Sequence, residues 1–182
     1  MQLLDPALVE ENDDGTQTIM GVRGVIKKTV DEWLNSVNYG YLNSGHYLPT
    51  PFALKFMNFI KLVNGAEGEQ NKTPVVHLAM LDQIAGKKER IANLCARGMA
   101  KTTLMAEYLT LYLAVFGEID GFGKLDSMLY ISDSMDNGVK SFRQNVEFRY
   151  ENSEFLKEWI PEANFTENNL TFKNKNGGIF GV

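Results

Sequence analysis

One cysteine and two histidines close off two kinds of chemistry. Cys95 has no second cysteine with which to form an internal disulfide, and a Cys/His zinc site cannot be assembled from that set. No apolar run reaches the roughly 18 residues that a membrane-spanning helix needs. The opening residues also lack the charged-then-apolar pattern of a secretory signal. A reducing compartment is therefore expected, with Asn71-Lys72-Thr73, Asn164-Phe165-Thr166 and Asn169-Leu170-Thr171 as chance glycosylation matches. Basic charge is scarce too. A net charge of −5 and a pI near 5.1 argue against this chain being a main DNA-gripping surface, because duplex binding draws on clustered cations. The short run Lys87-Lys88-Glu89-Arg90 reads as a solvated turn. No internal repeat or low-complexity tract is present, and 182 residues with 44% apolar content suffice for one sizeable core.

What the chain does have is Cys95-Ala96-Arg97-Gly98-Met99-Ala100-Lys101-Thr102-Thr103, which joins an apolar stretch to a strong helix and puts Lys-Thr-Thr at the joint. A phosphate-binding loop belongs at such a joint. There, backbone N–H groups and the positive end of the following helix surround a phosphate, a lysine reaches the outer phosphates and a hydroxyl holds Mg²⁺. Lys101 and Thr102 fit the last two roles. The ordinary pattern G-x-x-x-x-G-K-[ST] wants glycine where this chain has Cys95 and Ala100. The plainer reading is a helix start with a solvated lysine and a threonine cap.

The flanks bear on that choice. Arg90-Ile91-Ala92-Asn93-Leu94-Cys95 is short and largely apolar and predicts a buried strand. Leu104 to Phe116 predicts a helix, apolar all round in its second half, that stops at Gly117. Ser127-Met128-Leu129-Tyr130-Ile131-Ser132 predicts a second strand, and Asp133-Ser134 a cap for a helix carrying Val139, Phe142 and Val146 on one face. Strand, loop, helix, strand, helix is the order of a parallel α/β sheet.

The order Arg97-Gly98-Met99-Ala100-Lys101-Thr102-Thr103, a long apolar helix, then Leu129-Tyr130-Ile131-Ser132-Asp133-Ser134 and Phe142-Arg143-Gln144-Asn145 resembles the ATPase domain of tailed-phage terminase large subunits, the motors that package viral DNA. The resemblance covers about residues 74 to 182. In that family Arg-Gly-x-Ala/Gly-Lys-Ser/Thr replaces the usual glycine spacing, so both departures become expected features. It implies a P-loop NTPase-type parallel sheet with flanking helices, with ATP and Mg²⁺ as ligands. It further implies that Gly98, Met99 and Ala100 supply loop backbone, Lys101 contacts the β and γ phosphates, Thr102 helps to bind Mg²⁺ and Thr103 supports the loop. Arg97 is implied to act on the γ phosphate, where a guanidinium offsets charge on the transferred phosphoryl group; its alternative is a surface arginine with no part in turnover. A glutamine that reads adenine often precedes the loop in this family. Here His77 stands in that place, with Gln83 a second candidate, while a histidine beside apolar residues also fits a structural role. Asp133 reads chiefly as a cap or loop residue, with a metal role as its alternative. Cys95 reads as a small loop residue rather than a nucleophile, for want of a positioned partner.

Residues 1–73 read as a separate helical, lid-like region. Thr29-Val30-Asp31-Glu32 is a capping box for a helix carrying Trp33, Leu34 and Val37, and Thr50-Pro51 opens another with Phe52, Phe56, Phe59, Ile60 and Val63 at helical spacing. Asn64 to Asn71 is a polar loop and candidate hinge before Pro74. Residues 74–182 read as the first part of the ATPase core. Leu170 to Val182 alternates polar and apolar residues around Asn176-Gly177-Gly178 and predicts a hairpin. Ending on Ile179-Phe180-Gly181-Val182, the chain is expected to stop before its Walker B strand and nuclease domain, so that by itself it hydrolyses ATP poorly and does not cut DNA.

The function implied is the ATP-binding portion of a motor that drives double-stranded DNA into a procapsid. It would work in the host cytoplasm, with the portal protein, the small terminase subunit and further copies of itself as partners and no membrane. Two alternatives stand beside it: another P-loop phosphotransferase such as a small kinase, and a non-catalytic module whose helices dock the small subunit or portal.

Overall fold

The computed structural model describes residues 48–65, 74–86, 90–119, 121–167 and 169–182, together with the backbone of three short strands before them. The chain divides into two compact units, Met1–Asp82 and Gln83–Val182. The whole is a mixture of helices and small antiparallel sheets, α/β in the general sense.

In the first unit, β1 (Val9–Glu11), β2 (Gln17–Ile19) and β3 (Ile26–Lys28) form an antiparallel meander, with Val9 opposite Ile19 and Gln17 opposite Lys28. This sheet lies in a region read from sequence as helical. Helix α1 (Pro51–Asn64) starts as its sequence dictates: the Thr50 hydroxyl accepts from the Ala53 N–H at 3.2 Å, and Pro51 takes the first helical position, where its missing N–H costs nothing. Its Phe52, Phe56, Phe59, Ile60 and Val63 are buried. Gly65 closes it with a φ of 59° that a side chain would resist. The same Thr50 donates from its N–H and its hydroxyl to Asp82 Oδ1, at 2.9 and 2.7 Å, which ties the start of α1 to α2 (Val75–Ala85). The helix predicted after Thr29 and the loop at 66–71 lie outside the described residues.

The second unit is built round one helix. It begins at Lys101, runs through a wide π-helical segment, Thr103–Tyr108, and continues as α3, Leu109–Phe116. Leu111 to Val115 are buried on every side, as the apolar sequence demands, and left-handed Gly117 ends the helix by donating to Leu113 O at 2.8 Å. A two-rung ribbon follows, β4 (Glu118–Ile119) against β5 (Gly123–Lys124). Ser134 then caps a second wide turn, Met135–Lys140, its hydroxyl accepting from Asn137 N–H at 3.1 Å, and α4 (Ser141–Glu151) continues from it with Phe142 and Val146 buried. Ser153 caps α5 (Glu154–Trp159). The strands β6 (Glu162–Phe165), β7 (Leu170–Lys173) and β8 (Ile179–Gly181) form an antiparallel meander, and the predicted hairpin is β7–β8, with Phe172 opposite Phe180. The buried Asn174 holds its turn: Oδ1 accepts from the N–H groups of Asn176 and Gly178, and Nδ2 donates to Val115 O, fastening the hairpin to the end of α3.

Two predicted strands need correction. Arg90 to Cys95 pairs with nothing among the described residues, and Leu94 is 99% exposed rather than buried. Met128 to Ser132 is likewise extended without a ladder, with Leu129 and Ile131 both 80% exposed. Its one backbone pairing among the described residues is a parallel bridge between Ser127 and Gly181, in which Met128 N–H donates to Gly181 O at 2.9 Å and Gly181 N–H to Asp126 O at 3.1 Å, while the Tyr130 ring stacks on Phe142. The apolar pattern of both segments suits a sheet interior, but a strand exists only where a neighbour supplies the other half of its hydrogen bonds. The parallel sheet expected from the element order is thus represented among the described residues by that single bridge.

Candidate phosphate site

The segment before the wide helix is a tight loop with two left-handed residues. Gly98 has a φ of 87° and Ala100 a φ of 48°, the only positive value for a non-glycine among the described residues. A methyl-bearing residue in that conformation costs about 1–2 kcal/mol. It stands where the ordinary phosphate-loop pattern carries glycine, the residue that adopts such a φ without strain.

The helix start is open. Leu104 N–H donates to Ala100 O at 2.9 Å, the first helical bond, so the N–H groups of Lys101, Thr102 and Thr103 sit in the first turn with no acceptor among the described residues. Thr102 is not a cap: its backbone is already helical and its hydroxyl makes no capping bond. Thr50, Ser134 and Ser153 each satisfy an N–H three residues on. The plainer sequence reading, a threonine-capped helix start, is therefore not what this junction is. Three N–H donors without an acceptor among the described residues, the dipole end of a helix and a lysine thus belong to one short junction, a combination of residue types suited to a phosphate group. Lys101 and Thr103 are half-buried and Thr102 exposed. Arg97 is exposed, and neither it nor Lys101 has an acidic partner among the described residues. Met99 and Cys95 are half-buried, and Cys95 is a free thiol.

The other candidates fall elsewhere. His77 and Gln83 are both half-buried on α2. Six residues apart, they point roughly 120° from one another around the helix axis, so a ligand on one side of α2 meets one of them only. Asp133 is exposed, its Oδ1 accepting from the Ser132 hydroxyl at 3.2 Å, and capping falls to Ser134 instead. No group of three or more His, Cys, Asp or Glu side chains gathers among the described residues. A cleft of about 290 Å³ between the end of α3 and the β7–β8 turn, lined by Phe116, Lys124, Asp126 and Asn174 among others, contains no loop residue.

Sequence reasoning missed a buried polar cluster behind the loop. Glu107, 3% exposed, accepts from Asn145 Nδ2 at 2.9 Å and from Arg149 Nε and Nη2 at 3.1 and 3.0 Å. Arg149 Nη1 also donates to the Tyr108 hydroxyl at 2.7 Å, and its guanidinium lies 4.3 Å from the Tyr108 ring centre. The signal was available: Glu107 is the only acid between Lys101 and Phe116, in an otherwise apolar helix, and such an acid needs a partner. No helix among the described residues is long and apolar enough to cross a membrane. No protein-family model, curated protein or solved structure matches the chain.

Proposed function

We propose that this chain is the ATP-binding portion of a DNA-packaging motor of the terminase large-subunit type. The observation that carries the reading is the junction at Ala100: a left-handed alanine leading into a helix whose first N–H groups are uncapped, with Lys101 and Thr102 beside them. A strained backbone residue is kept where something else depends on the bend. Anion-binding loops use successive N–H groups left without a protein acceptor in this way.

In this reading Lys101 neutralises the β and γ phosphates, Thr102 completes the shell of Mg²⁺, the loop backbone from Gly98 to Ala100 cradles the chain of phosphates, and Arg97 meets charge that develops on the γ group. Bound ATP supplies the phosphoryl transfer potential; the residues bind and orient. His77 or Gln83 would read the adenine. Double-stranded DNA, the portal protein, the small terminase subunit and further copies of this chain are the partners of the complete motor, at the procapsid portal in the host cytoplasm.

Because the donors at the loop address phosphate rather than base, affinity should rank ATP and ADP well above AMP, with adenosine last. Competition titrations against a fluorescent ATP analogue measure that order. Equal binding of AMP and ATP would contradict it. Transfer of phosphate from ATP to an added acceptor would move the assignment to a phosphotransferase.

A further inference from the structure

Glu107 and Tyr108 are neighbours in sequence, yet both engage the guanidinium of Arg149. In an α-helix adjacent side chains point about 100° apart. Here both lie in the wide segment Thr103–Tyr108, where the bonds run to the fifth residue and one extra residue is accommodated. Such segments are rare because their packing is poorer than that of an α-helix, and they persist where side chains hold them. Arg149 of α4 is placed to do so. Its Nε and Nη2 donate to the buried Glu107 carboxylate, whose other oxygen is occupied by Asn145, and its Nη1 donates to the Tyr108 hydroxyl.

The wide segment separates the first helical residues, Lys101 and Thr102, from α3, which is buried from Thr110 to Val115. If it relaxed to α geometry, one residue's worth of rotation, about 100°, would pass to one end or the other. Leu111 to Val115 are packed on every side of α3 and cannot rotate without losing that packing, so the end at Lys101 would turn.

We infer that the Glu107–Arg149 pair is a positioning device that fixes the direction in which Lys101 and Thr102 face the loop. The inference rests on the reading of that loop as an ATP site. Glu107 touches no phosphate in this scheme; it acts through the helix register.

The test uses Glu107→Met with Arg149→Met in one chain, since buried ion pairs replaced by apolar residues of similar volume commonly leave folding stability intact. A second variant, the isosteric Glu107→Gln, covers the case in which the double variant fails to fold. For each, thermal unfolding, the Mg-ATP dissociation constant and the acceptor of each N–H in Thr103–Tyr108, read from scalar couplings across hydrogen bonds, are compared with the original chain. The expected result is a folded protein whose segment has shifted to fourth-residue acceptors and whose Mg-ATP affinity has fallen at least tenfold. A folded variant that binds Mg-ATP as the original does overturns the positioning role alone. Failure of the original chain to bind Mg-ATP overturns the ATP reading and the positioning role together.

Discussion

Ala100 is the residue on which most depends. Its φ of 48° is strained for any side chain, and only glycine adopts it freely. Ala100→Gly should therefore raise stability by roughly 0.5–1 kcal/mol, the relief of strain outweighing the entropy lost on ordering a glycine, while leaving Mg-ATP affinity within a few-fold. Urea unfolding monitored beside the titration measures both, and a destabilised variant would mean that the methyl group packs usefully. At this scale the sequence was legible where a residue's job is local. Thr50, Gly117 and Ser134 perform the caps and stop their types advertise, because capping needs only neighbours three or four positions away. That Glu107 needs a partner was legible, but its identity was not, because Arg149 is 42 residues distant and only tertiary packing brings them together.

The same divide runs through the elements. Helices α1, α3 and α4 and the β7–β8 hairpin follow their patterns, since each is closed by bonds within itself or across one short turn. The predicted strands at Arg90 and Ser127 depend on distant neighbours, and their apolar runs found no ladder among the described residues. Leu129→Ser and Ile131→Ser should accordingly change stability by less than about 0.5 kcal/mol, where a buried strand would lose several; chemical denaturation of the two variants decides. Between α4 and the end of α5, the Tyr150 hydroxyl donates to Ile160 O at 2.9 Å, and burial raises the phenol's pKa above its ordinary value. Ionisation is thus opposed in the folded state. The contribution of Tyr150 is complete below the unfolded pKa of about 10 and is lost as pH rises through the higher folded value. Unfolding free energies followed from pH 8 to 12, with phenolate absorbance recorded alongside, should show this loss, and Tyr150→Phe should flatten that part of the curve.

For the whole molecule, the two compact units and the net negative charge constrain what the chain does for itself. A surface this acidic has no general attraction for duplex DNA, so in the motor reading the contribution of this chain is to hold nucleotide, and grip on DNA resides in other parts of the assembly. That places the weight of the account on one loop. The most direct test is an equilibrium titration of the chain with Mg-ATP beside Lys101→Ala. Loss of one charge-assisted contact to phosphate should weaken binding by about tenfold or more, with the melting temperature nearly unchanged because Lys101 supports no other described contact. Saturable binding that collapses in Lys101→Ala is the predicted result. Absence of binding by a folded chain, or binding indifferent to Lys101, would contradict the phosphate loop.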